Sequence, residues 1–234
     1  MPNIERSYAD RLQRGRSMKS AVGGFVPPFA PPDATLLPAA FDTFLDGLNT
    51  LNITAATAEA DWKDDVADRI AMVKDIKARA LRVSARVKSN AAWKTQFPAV
   101  KAAAEALRGY RIPKPKAEPH PEVVQPKARQ QGDQSFADIK NLLDKLTAAL
   151  GHVPTYDTGA PADLTIATLS ALATDLDALN QLVATKEQAL ISARTKRAAG
   201  YETLKDKMKA IKEAAVSQYG SRSPQHTQVR AIRV

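Results

Sequence analysis

The side chains that could do chemistry are few and scattered. His120, His152 and His226 are the only histidines, and none stands at helical spacing from another histidine or a suitable carboxylate. A two-histidine metal motif is therefore missing. The chain has no cysteine, which excludes thiolate nucleophiles, disulfides and Cys-ligated metals. Gly23-Gly24 has neither the preceding strand nor the following lysine of a phosphate loop, and no nucleophile elbow occurs. The expectation is a non-enzymatic chain with no catalytic, cofactor-binding or metal-binding residues.

Two charged groupings remain. Asp61, Asp64, Asp65 and Asp68 lie on adjacent turns. They read as a divalent-cation site or, in the absence of a histidine or glutamate in register, as a solvated first helical turn complementing the helix dipole. Downstream, Arg79, Arg82 and Arg86 recur at three and four positions and form one stripe beside an apolar face. A second long helix repeats the polarity, with Asp163, Asp175 and Asp177 early and Lys186, Arg194, Lys196 and Arg197 late. Arg79, Arg82, Arg86, Arg194 and Arg197 are thus the candidate anion or nucleic-acid surface, set against dipole complementation and solubility. Trp93 and Tyr201 read as core plugs whose polar atoms reach a loop carbonyl.

The elements that would position these groups are helical. Ile4, Tyr8 and Leu12 mark a helix over 3–21 with Asn3 as N-cap, weakened at Gly15. Residues 23–34 carry four prolines and cannot be regular structure. Helices are expected near 36–52, 58–90 and 98–109, with Pro98 in the first turn and Gly109 as the stop. Residues 110–134 form a proline- and lysine-rich linker. Ser135 caps a helix to about 150, and a loop occupies 151–161. Helices follow over 162–199 and 200–218, ending at Gly220. The tail 221–234 reads as a short strand or an extended arm.

The second half repeats the first. Val83-Ser84-Ala85-Arg86-Val87-Lys88 returns as Ile191-Ser192-Ala193-Arg194-Thr195-Lys196, 108 positions later. The same offset pairs Trp93 with Tyr201. An offset of 98 pairs Phe41, Leu45 and Leu48 with Ile139, Leu143 and Leu146. The expected architecture is all-α: two pseudo-repeated antiparallel bundle units at 35–109 and 135–220, forming one core or two, joined by the linker and flanked by a basic helix and strap at 1–34 and a basic tail at 221–234. In this arrangement 36–109 and 135–220 superpose.

Composition narrows the partners without choosing one. The net charge of +9 permits nucleic acid, anionic lipid or an acidic protein. No apolar run reaches the ~18 residues of a spanning helix, and no signal peptide is read, so a cytoplasmic setting is expected. Lys209-Ala210-Ile211-Lys212, followed by Gln218-Tyr219-Gly220-Ser221-Arg222-Ser223-Pro224-Gln225-His226, resembles the closing segment of a group of uncharacterised bacterial helical proteins. Those share a lysine-bearing helix, an aromatic-Gly turn, then Ser and an acidic-aromatic pair. Pro224-Gln225-His226 departs from the last part. The resemblance covers about 25 residues and implies helical architecture alone.

The function expected is that of a structural or interaction protein, self-assembling or scaffold-like, with a protein partner or a second copy. Candidate assembly contacts are Phe25, Val26 and Phe29 in the strap and Val229, Ile232 and Val234 in the tail. The alternative is a basic helical nucleic-acid-binding protein.

Overall fold

The computed structural model describes residues 3–109 and 135–234, with side chains from Tyr8 onward in the first stretch. The linker read over 110–134, and with it His120, lies outside the described residues, as does the Asn3 side chain. Every regular element among the described residues is helical: α1 Asn3–Gly23, α2 Pro38–Ser89, α3 Phe97–Arg108, α4 Phe136–Gly151, α5 Ile166–Tyr219 and α6 Pro224–Ala231. Single 3-10 turns at Ala34–Leu36 and Ala162–Leu164 lead into the two long helices.

Local chemistry sets the helix ends. Ser135 accepts from the Asp138 amide while the Asp138 side chain accepts from the Ser135 amide, a closed capping box at the start of α4. Ser223 accepts from the His226 amide and Pro224 follows in the first turn of α6. Gly109 and Gly220 close α3 and α5 with φ of 84° and 90°, a left-handed conformation that glycine adopts without a Cβ penalty.

Two helix breaks expected from sequence do not occur. The stretch 53–57 lies inside the 52-residue α2. Its β-branched residues cost only tenths of a kcal/mol each, and Thr50 and Thr54 return their hydroxyls to the Asp46 and Thr50 carbonyls. Gly200 lies inside the 54-residue α5. A Cβ there would meet Leu48 Cδ2 at 2.7 Å, so this glycine marks a close helix approach and not a break. Gly15 has the same role in α1, where a Cβ would meet Leu45 Cδ2 at 2.6 Å.

The chain forms two compact units that do not follow the expected boundaries. The first unit holds 1–62 and 186–234, and the second holds 63–185. In the first, α1 packs on α6, and Met18, Phe41, Leu45, Leu48, Tyr201 and Ile211 form the centre of the core. In the second, α3 packs on α4 around Ile76, Val83, Leu107, Leu143, Leu146 and Leu169. Burying each such leucine or isoleucine contributes about 1.5–3 kcal/mol. The superposition of 36–109 on 135–220 fails on element order. The first stretch runs long helix then short helix, while the second runs short then long. Trp93 sits in a 3-10 turn and Tyr201 in the interior of α5, so the 108 offset does not pair equivalent places.

Candidate functional site

The arginine stripe is the first group whose placement decides what it can do. α2 ends with Arg79, Arg82 and Arg86 facing the loop 152–165 of the second unit. Arg79 donates to Asp75 Oδ2 at 2.7 Å and to the Asp163 carbonyl at 2.8 Å. Arg82 engages both oxygens of the Asp163 carboxylate, which holds that carboxyl below the usual range, chiefly through the Arg82 hydrogen bond. Arg86 donates to the Tyr156 and Thr158 carbonyls at 3.1 and 3.0 Å, and its guanidinium lies 5.4 Å from the Tyr156 ring centre and 5.6 Å from that of Trp93.

The stripe therefore fastens a loop. Trp93 Nε1 completes the attachment by donating to the Pro154 carbonyl at 2.9 Å, as read from sequence. Tyr156 is buried beneath, its hydroxyl donating to the Leu164 carbonyl at 3.1 Å. Burial pushes its phenol up to about 12 against the opposing pull of Arg86.

Arg194 and Arg197 belong to the first unit. Arg194 pairs with Glu59 at 2.8 Å. Arg197 is buried, its guanidinium 4.6 Å from the Tyr8 ring centre. Tyr8 lies 4.6 Å from the Tyr201 ring, whose hydroxyl accepts from Asn52 Nδ2 at 2.8 Å. Tyr201 thus bonds a side chain, while its own carbonyl takes Arg11 at 2.7 Å. Each of these five arginines thus has an acceptor or a ring partner, with Arg82 still exposed at the surface.

The aspartates are also placed differently from the reading that made them a first turn. Asp61, Asp64, Asp65 and Asp68 lie more than twenty residues past the start of α2, beyond the reach of its N-terminal dipole. Asp61 pairs with Lys186 at 2.9 Å, and Asp64 and Asp68 are exposed. Lys186, Arg194 and Arg197 lie in the interior of α5, whose last turn carries no basic residue. Among the described residues no three His, Asp or Glu side chains are grouped to hold a metal ion. His152 is exposed, and His226 Nδ1 lies 2.8 Å from the Ser221 carbonyl.

The assembly contacts divide. Phe25, Phe29 and Val229 are buried in the first unit's own core, with Ile232 packed against it. The tail is a helix and not a strand because Ser223 and Pro224 nucleate one and Val229 is its buried anchor. The strap is held through its carbonyls: Gln225 bonds Val26, Tyr219 bonds Pro27 and Gln218 bonds Pro28, at 2.8–2.9 Å. Val26 and Val234 remain exposed.

One arrangement escaped sequence reading. Arg11, Arg14, Glu202, Lys205, Arg233 and Val234 line an open cleft of about 400 Å³ in the first unit. Its signal was faint, since the residues come from α1, α5 and the stretch after α6. Among the described residues no helix is long and apolar enough to cross a membrane. No protein-family model, curated protein or solved structure gives a significant match to this chain.

Proposed function

We propose that this is a non-enzymatic structural and interaction protein, built as a duplicated helical half, that associates with further copies through the outer faces of its two long helices. The observation that carries this reading is where the apolar side chains are left over. Ile53, Ile70 and Leu81 on α2 and Leu182, Ile191 and Val216 on α5 are exposed, while Arg79, Arg86 and Arg194 of the same helices are turned to internal acceptors. Apolar residues on long rigid helices suit helix-to-helix contact. The nucleic-acid reading draws no support from Arg79, Arg82, Arg86 or Arg194, each of which already has an acceptor.

The duplication proposed has an offset of 128. Ala34–Leu36 corresponds to Ala162–Leu164, and Pro38 to Ile166 as the first residue of a long helix. Buried positions follow the same register: Met18 with Leu146, Val22 with Leu150, Leu48 with Leu176, Ile76 with Leu204, Val83 with Ile211. So do polar details. Asn52 and Asn180 each keep a buried carbonyl oxygen without a hydrogen bond. Arg69 lies over Phe136 as Arg197 lies over Tyr8. Arg79 reaches the carbonyl of Asp163 as Lys207 reaches that of Thr35. Each unit would then combine the opening elements of one half with the closing elements of the other.

Light scattering on nuclease-treated protein at tens of micromolar, a rough working range for self-association, tests the association. The expected mass exceeds one chain and falls to one chain in the Ile53→Glu, Ile191→Glu double variant. A single-chain mass for the unaltered protein sinks the reading.

A further inference from the structure

In the cleft of the first unit, cations converge without all being used up. Arg11 is held in position by the Tyr201 carbonyl at 2.7 Å, by Glu202 Oε1 at 3.3 Å and by the Tyr201 ring 5.2 Å away. Lys205 shares Glu202 at 3.3 Å. Arg14 and Arg233 have no acceptor among the described residues, and the former is half-buried. Four cations and the Glu202 carboxylate thus line the cleft beside Val234, and Leu204 and Met208 form an apolar recess with them.

The second unit shows that the architecture does not require this charge. At the register of 128 positions, Arg11 and Arg14 correspond to Ile139 and Leu142, which are packed into the core. There the 12-residue α3 covers α4 with Val100, Ala104 and Leu107 buried. In the first unit the 8-residue α6 buries Val229, and Ile232 after it packs against the core. A concave site with a fixed guanidinium, two further unengaged guanidinium groups and an ammonium is suited to an anion with several oxygens, because the guanidinium fork matches phosphate in two-point contact. A volume near 400 Å³ lies in the range of small-ligand sites, generally about 300–1,000 Å³, and is too small to enclose a nucleic-acid duplex.

We propose that this cleft binds a small phosphate-bearing anion, with Arg14 and Arg233 as the contacting cations and Arg11 as the pre-set anchor. The Glu202 carboxyl is held below its ordinary value, first by the Lys205 hydrogen bond and then by Arg11, so it stays ionised and keeps both cations at the cleft. This site stands independently of self-association.

The test is calorimetric titration of the full chain with sodium pyrophosphate at fixed ionic strength. The expected result is saturable one-site binding with Kd below about 1 mM. Arg14→Gln and the exposed Arg233→Gln should each weaken it about tenfold or more, while Arg82→Gln, outside the cleft, leaves it unchanged and circular dichroism shows all three variants folded. Failure to saturate by about 10 mM, or equal weakening by Arg82→Gln, overturns the proposal. So does tight binding of a single-stranded oligonucleotide that pyrophosphate does not displace, since the cleft would then serve a polymer backbone.

Discussion

The segments that lead into the two long helices are fastened by different mixtures of charged and neutral donors. In the second unit, the loop 152–165 is gripped by charged donors: Arg79, Arg82 and Arg86 reach its carbonyls and Asp163, with Trp93 adding one neutral bond. In the first unit, the strap 24–33 is held by neutral donors. Gln218, Tyr219 and Gln225 bond three successive carbonyls, and Gln218 also accepts from the Ala30 amide. The proline strap has few N–H groups to offer, so its attachment depends on donors from elsewhere, and amide and phenol groups supply them without desolvating charge. Of the first unit's cations, Lys207 joins this attachment at Thr35, just before α2, whereas Arg14 and Arg233 take no part in it.

If the two attachments are equally important, deleting their aromatic anchors should cost about the same. Trp93→Ala removes a ring 5.9 Å from Tyr156 together with the bond to Pro154. Phe25→Ala removes a ring packed edge-on against Phe29 and Tyr219. Each is expected to lower unfolding free energy by about 3–5 kcal/mol in urea titrations followed by circular dichroism. A loss under about 1 kcal/mol for either would show that its segment is carried by the backbone bonds alone.

The Tyr156 phenol gives the second unit an alkaline sensitivity. Its value in the fold is about 12, against roughly 10 for an unfolded chain. Below about pH 10 both states keep the proton and this group leaves stability unchanged. Above that, the unfolded phenol ionises while the buried one does not, so stability falls as pH rises toward 12, by on the order of 2 kcal/mol. Thermal melts from pH 9 to 12 should show this loss, reduced in Tyr156→Phe. A variant that loses as much as the parent would assign the alkaline sensitivity to Tyr201 and Tyr219, both also raised by burial.

A smaller effect is expected from the charged grip itself. Arg86→Met keeps the apolar stem and removes two carbonyl bonds, a change worth about 1–3 kcal/mol. Gln218→Ala removes two neutral bonds from the strap, about 1–2 kcal/mol. Limited proteolysis should then cut Arg86→Met within 152–161 and Gln218→Ala within 24–33. Cleavage of each variant in the other segment would break the assignment.

The all-helical class was legible because its signals are local. The spacing of Ile139, Leu143, Leu146 and Leu150, the Ser135 cap and the Gly109 and Gly220 stops each depend on a few neighbouring residues. The register of the proposed duplication was not. Correspondence at 128 positions preserves burial more than identity, as in Phe41 with Leu169 or Ala80 with Met208, whereas the 108 offset matched similar words on unrelated helical turns. The arginine stripe was correctly placed on one side of α2, but composition carries no record of the loop carbonyls that consume it. The cleft draws its residues from α1, α5 and the stretch after α6, which only the tertiary fold brings together.

The smallest effect tests whether the first unit's close helix approach is rigid. At the 128 register, Gly15 corresponds to Leu143 and Gly200 to Met72 in the second unit, so one unit fills with side chains what the other closes with backbone. Replacing either glycine by alanine should gain roughly 1 kcal/mol of helix propensity. Against that, the new Cβ would lie 2.6 Å from Leu45 Cδ2 or 2.7 Å from Leu48 Cδ2. Both contacts are the ends of flexible side chains, and turning such a leucine off its rotamer costs about 0.5–1.5 kcal/mol. The two effects nearly cancel, so Gly15→Ala and Gly200→Ala should each change stability by less than about 1 kcal/mol in urea titrations. A loss above about 3 kcal/mol would mean that the leucines have nowhere to turn and that the first unit is the more tightly packed of the two.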